Sequence, residues 1–191
     1  MRQNLFFSFF ILLVSFSVFA QQDASDKKFS IEASYPISLV DGYNSNGVLD
    51  LGLKYRFADF EILKLGFGIN GSLFTDKDFD NPIATNTESK DYFIQPRIFG
   101  EFSLPGMQKL KPSLGLGYSF VKSKLTGMNN GVEVSNSFNT DGFNLNIGTS
   151  YDITNSFFAQ IQYDLIFLGE DNSSSYQDNF SAIKLGFGFK F

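Results

Sequence analysis

The stretch LGFGFKF, residues 185–191, alternates large apolar side chains with glycine or lysine, and the letters KLGFG that lead into it at 184–188 also occur at 64–68. Alternation with period two places successive side chains on opposite faces of a β-strand. Leu185, Phe187, Phe189 and Phe191 therefore share one face, and Gly186, Gly188 and Lys190 the other. Glycine inside a strand weakens it and marks a bend or the close approach of another group. Its repeated use on one face implies a wall that is crowded on one side and apolar on the other.

The same period recurs along the chain. Phe29, Ile31, Ala33, Tyr35, Ile37 and Leu39 alternate with Ser30, Glu32, Ser34, Pro36 and Ser38. Leu49, Leu51, Leu53, Tyr55 and Phe57 oppose Asp50, Gly52, Lys54 and Arg56, and Leu63, Leu65, Phe67, Ile69 and Leu73 oppose Lys64, Gly66, Gly68, Asn70 and Ser72. Tyr92, Ile94, Ile98 and Phe102 oppose Gln95, Arg97 and Glu101, with Phe93 and Phe99 interrupting the polar face. Further alternating segments cover residues 113–120, 143–151, 157–167 and 183–191, so the pattern predicts eight strands and no amphipathic helix.

The connections alternate in length. ADFE, LPGMQKLK and DITNS are short; VDGYNSN, TDKDFDNPIATNTESK, TGMNNGVEVSNSFNT and GEDNSSSYQDN are longer and polar. An up-and-down meander then gathers the short turns and both chain ends at one rim and four long loops at the other.

Three features turn the apolar face outward. Glycine recurs on the polar face, where the inner wall of a narrow barrel needs small residues. That face also carries both signs of charge, Glu32, Asp50, Glu101 and Asp164 with Lys54, Arg56, Lys64, Arg97, Lys184 and Lys190, which a packed lumen can pair. On the apolar face, Phe29, Phe57, Phe102, Tyr151, Phe157, Phe189 and Phe191 collect at the short-turn rim as an interfacial aromatic girdle would. Strands of about ten residues, tilted by roughly 40°, cross about 25 Å of hydrocarbon, and closure leaves no unpaired backbone edge there. The expected fold is thus an all-β, eight-stranded antiparallel up-and-down transmembrane β-barrel.

Residues 1–20 form a separate region. Met1 and Arg2 precede an apolar run, and Val18-Phe19-Ala20 sets a small residue before Gln21, the layout of a cleavable signal peptide. The expected division is a signal peptide over 1–20 and a barrel domain over 21–191. The chain has no cysteine, which excludes disulfides, thiolate metal sites and a lipidated N-terminal cysteine. A net charge of −5 with no basic stripe argues against nucleic acid as a partner.

These features together resemble the small outer-membrane β-barrel proteins of the OmpX, OmpW and OmpA transmembrane-domain type, over essentially the whole of residues 21–191. The resemblance implies a monomer in the outer membrane with both termini periplasmic, in contact with lipid and lipopolysaccharide. It further implies periplasmic chaperones in transit and assembly machinery that reads the last strand, here Phe187, Phe189 and Phe191. No peptidoglycan-binding domain is expected after the barrel.

Catalytic outer-membrane barrels rely on histidine as a general base near neutrality, and this chain has no histidine. The inward carboxylates are read as ion-pair partners, so no enzyme activity and no cofactor are expected. Asp76, Asp78 and Asp80 have the spacing that opens a calcium loop, but Asn81 and Thr87 stand where glycine and glutamate are required, leaving only a weak metal candidate. The expected function is a structural or surface-interaction role through the four long loops. The alternatives are a narrow pore for ions or small solutes and a soluble, lipocalin-like ligand-binding barrel.

Overall fold

In the computed structural model, which describes residues 27–40, 46–77, 85–129, 132–169 and 179–191, eight strands close into a single barrel. They are β1 (Phe29–Ser38), β2 (Asn46–Asp59), β3 (Leu63–Lys77), β4 (Thr85–Phe102), β5 (Leu110–Asn129), β6 (Val132–Asp152), β7 (Phe157–Leu168) and β8 (Asn179–Lys190). Each pairs antiparallel with its neighbours in the chain, and β1 pairs with β8 from Ser30↔Lys190 to Ser38↔Ala182. The eight alternating segments are all strands. The signal peptide expected over 1–20 lies outside the described residues.

The apolar face points outward. Ile31, Leu51, Leu53, Phe67, Ile98, Leu116, Phe143 and Phe187 are exposed, while Glu32, Asp50, Arg97, Asp164 and Lys184 are buried. This is the reverse of a soluble barrel and removes the lipocalin-like alternative. The girdle residues Phe29, Phe57, Phe102, Tyr151 and Phe157 are exposed, and Phe29 stacks on Tyr55 at 4.6 Å between ring centroids.

Two long connections need correction. The stretch TGMNNGVEVSNSFNT, expected as a loop, is mostly the tip of a hairpin whose register continues to Asn129↔Val132. Beyond the membrane both faces of a hairpin meet water, so its sequence loses the apolar alternation by which strands are recognised. Residues 75–77 and 85–90 of the next such loop also belong to β3 and β4.

The interior explains the twice-used glycine pattern. A Cβ placed on Gly66 would lie 2.4 Å from the Phe99 ring, and one on Gly188 would lie 2.1 Å from the Phe158 ring. Both are directly opposed cross-strand pairs, Gly66↔Phe99 and Gly188↔Phe158. In each copy of KLGFG one glycine is the seat for an inward phenylalanine of the neighbouring strand. Gly188→Ala is expected to cost about 1–3 kcal/mol by overpacking. In a Phe158→Ala background that penalty should vanish. A double-mutant cycle on unfolding midpoints measures the difference, and an equal cost in both backgrounds would show that the ring is not the reason for the glycine.

Candidate functional site: the filled lumen and the long-loop rim

Even-numbered positions of β7 and β8 and odd-numbered positions of β4 face inward, so strand period and register stack their side chains in layers. Nearest the short turns, Arg56 Nη2 pairs with Glu101 at 2.9 Å and Lys190 Nζ with Asp152 at 2.6 Å. Phe99 lies beneath Lys54 and Arg56, at 5.4 and 5.8 Å, and Phe158 beneath Lys190 at 5.1 Å. These distances suit cation–π attraction in a desolvated interior. Lys54 Nζ also pairs with Glu32 at 2.7 Å.

Mid-barrel, Lys184 Nζ contacts Asp50 and Asp164 at 2.7 Å each and Gln95 Oε1 at 2.8 Å. Arg97 Nη1 reaches Asp164 at 3.1 Å, and Asn70, Ser72 and Asn146 donate further hydrogen bonds to the two aspartates. Burying such charges is costly unless every partner is in place, so removing one member is penalised heavily.

Toward the long loops the lumen turns apolar. Phe74, Phe93, Val121, Ile166, Phe180 and Ala182 form a buried cluster, with Phe74 edge-on to Phe93 and Phe180 at 5.3 Å. It lies on the long-loop side of the mid-barrel network, with the buried Asp91 beside it and Asp76, Thr87 and Ser89 beyond it.

Nine of the ten lumen residues expected from the sequence, Glu32, Asp50, Lys54, Arg56, Arg97, Glu101, Asp164, Lys184 and Lys190, are therefore brought into the buried layers. Lys64 is not: it sits at the short-turn rim, 22% exposed, and pairs with Asp59 at 2.7 Å. The Lys64 hydrogen bond holds the Asp59 carboxyl below its ordinary value, against a smaller opposite effect of burial. Sequence reasoning set the amides Gln95, Asn70, Asn146, Gln160 and Gln162 on the polar face without counting them in the lumen network, and it missed the aromatic layers. Their inward parity was the available signal, and Phe93 and Phe99, which interrupt the polar face of β4, were its clearest instance. Asp76 is buried near the long-loop end of β3, whereas Asp78 and Asp80 lie outside the described residues. Phe187 is exposed, and Phe189 and Phe191 half-buried, along the β1–β8 seam.

Comparison with known proteins agrees with this architecture. Residues 8–191 match the family described as outer membrane protein beta-barrel domain. The attachment invasion locus protein Ail of Yersinia pestis is similar in structure at 16% identity, covering 86% of this chain and 97% of that one, with a TM-score of 0.54. Neisserial surface protein A matches at 21% identity, 85% and 96% coverage and a TM-score of 0.58. A major outer membrane protein from Thermus thermophilus matches at 11% identity, 86% and 99% coverage and a TM-score of 0.63. No curated protein sequence matches the chain.

Proposed function

This chain belongs to the outer membrane β-barrel domain family, and from that premise we propose that it is a non-enzymatic, non-conducting barrel whose work is done by surface interaction at its long-loop rim. In this reading both termini face the periplasm and the long-loop rim faces outward. The observation that carries it is the β5–β6 hairpin. Its strands, 20 and 21 residues long, are the longest of the barrel, and residues 132–137 are exposed on both faces. From Phe120, the last outward aromatic of β5, to Asn129 the hairpin runs about 30 Å along the strand, well beyond the hydrocarbon. β5 stays paired with β4 as far as Met128, so this stretch extends the barrel wall above the membrane and ends in an exposed tip, and a length of wall that crosses no hydrocarbon serves to present a surface.

The filled lumen supports the absence of conduction. A charged layer neutralised by its own ion pairs lies under a packed layer of phenylalanines, which leaves an ion no open path past the rings. The narrow-pore alternative finds no support in that arrangement.

Two measurements test the reading. Purified protein in a planar bilayer is expected to give no channel steps, and steady unitary conductance would overturn that half. Replacing residues 126–135 by a two-residue turn is expected to leave barrel assembly intact. The retention of intact cells on protein-coated glass should then fall to that of cells lacking the protein, and unchanged retention would overturn the surface role.

A further inference from the structure

Above the membrane one edge of the sheet is left open. β6 pairs with β7 from Asp152↔Phe158 only as far as Gly142↔Leu168, and the last rung is the Gly169 N–H donated to the Asp141 carbonyl at 3.0 Å. On its other side β6 stays paired with β5 up to Asn129↔Val132. Residues 132–140 are therefore the margin of the projecting wall. The opposite margin is short, because β3 ends at Lys77, just past its last residue partnered with β2, Thr75.

Backbone groups alternate in direction along a strand, so the rungs below decide which of them face the open side. Asp141 turns its carbonyl toward β7, whereas the Asp152 N–H is donated to the Lys109 carbonyl on the β5 side at 2.8 Å. Odd-numbered residues of β6 thus face away from β5. The N–H and C=O groups of Glu133, Ser135, Ser137 and Asn139 point outward along about 20 Å of strand, with no backbone partner among the described residues.

Exposed edges are ordinarily blunted by lysine, proline or a bulge. Between Val132 and Asp141 there is neither lysine nor proline, and the β5–β6 register runs without a shift. Lys122 and Lys124 stand one strand further in, opposite Asn139 and Ser137. The margin carries one charge of its own, Glu133, and Val134 and Phe138 share its other face.

We propose that the open edge of β6 receives an extended peptide segment of a partner protein as an added antiparallel strand, with apolar residues facing Val134 and Phe138, a basic residue facing Glu133 and an acidic residue facing Ser137. Backbone bonds to the odd-numbered residues supply the affinity, and alternate side chains the selectivity. The added strand rises along the line of β7 from just beyond Gly169. Its acidic residue lies about 10 Å from the Lys124 backbone, a gap that two long side chains close over the short Ser137. The antiparallel direction follows from the greater stability of that ladder. This deepens the surface role proposed above and rests on it.

The probe is a fluorescent peptide with valine facing the even-numbered residues 132–140, threonine facing Ser135 and Asn139, lysine facing Glu133 and glutamate facing Ser137. It is made in two forms. In one, the backbone nitrogens directed away from β6 are methylated, which keeps the peptide from stacking on itself; in the other, those directed toward β6 are methylated. Binding to the full chain in a neutral detergent is read by fluorescence anisotropy. The first form is expected to bind saturably and the second about a hundredfold more weakly, from the loss of its ladder donors. Ser135→Pro with Ser137→Pro removes N–H groups that face the open side and leaves the β5 ladder intact, so heat-modifiable gel mobility should be unchanged while the first form binds about thirtyfold more weakly. Exchanging the lysine and glutamate should weaken binding about tenfold.

No binding of the first form, equal binding of the two forms, or unchanged binding to the proline variant would overturn strand addition. Equal binding of the charge-exchanged peptide would overturn the stated partner chemistry, and peptide-independent dimers lost in the proline variant would assign the edge to a second copy. The two readings fail separately. Cell retention that does not depend on residues 126–135 sinks the surface role even where the purified protein binds the peptide, whereas retention that needs the hairpin but survives both proline substitutions sinks the edge alone.

Discussion

Lys184→Met is expected to lower stability by about 3–5 kcal/mol, the cost of leaving a buried charge without its partner. Lys184 is 2% exposed and holds Asp50 and Asp164 together from the middle of the lumen. Its methylenes are well replaced by methionine, so the loss is one of charge and not of volume. The four groups Lys184, Arg97, Asp50 and Asp164 sum to zero. Removing the lysine leaves Asp164 paired with Arg97, but Asp50 then keeps only the neutral donors Asn70 and Ser72. The rescue is therefore specific. Adding Asp50→Asn restores neutrality and should recover more than half of the loss, whereas Asp50→Asn alone should destabilise by leaving an excess cation. Urea unfolding in lipid vesicles, followed by circular dichroism, measures all three. A double variant no more stable than Lys184→Met would show that neutrality is not what the layer requires.

That network shows how far a sequence can be read in a barrel. Within the membrane a strand has one lipid face and one lumen face, so parity alone places Asp50, Asp164 and Lys184 inside, and the charges had to find each other because nothing else was there to receive them. Parity does not give depth or register. Lys64 has the inward parity of Gly66 and Gly68, yet it is the second residue of β3, just after the short turn, where Asp59 and water reach it. The aromatic cluster was hidden for a related reason. Phe74 and Phe93 lie on the consecutive strands β3 and β4, but Phe180 is on β8, and only closure of β1 on β8 brings it against them. The β5–β6 hairpin was missed because the rule that reveals strands depends on the two faces meeting different solvents, and beyond the headgroups they do not. What was legible is what the bilayer imposes; what was not is what water and long-range pairing decide.

Deleting Phe191 is expected to reduce the protein assembled in the outer membrane about tenfold, more than its effect on equilibrium stability alone would produce. Phe191 belongs to the seam that closes the barrel. Its N–H donates to the Phe29 carbonyl at 2.9 Å, the Phe29 N–H donates to the Phe191 carbonyl at 3.1 Å, and the two rings stack at 5.9 Å. Losing two hydrogen bonds and an aromatic contact costs about 3 kcal/mol. Phe67 makes a comparable ring contact, with Phe57 at 4.8 Å, but sits on β3 facing lipid. Lipid tails are as apolar as the ring's protein neighbours, so Phe67→Ala should cost about 1 kcal/mol and leave assembly near the wild-type level. Stability and assembly are separated by Gly188→Ala, whose cost is similar to that of the Phe191 deletion but which leaves the seam bonds of Phe29 and Phe191 in place. If Phe187, Phe189 and Phe191 act as a recognition strand, Gly188→Ala should assemble well while the Phe191 deletion does not, and Phe191→Tyr, which keeps ring and backbone, should assemble normally. Equal depletion of the Gly188→Ala and Phe191-deletion variants from the outer membrane would reduce the role of Phe191 to stability alone.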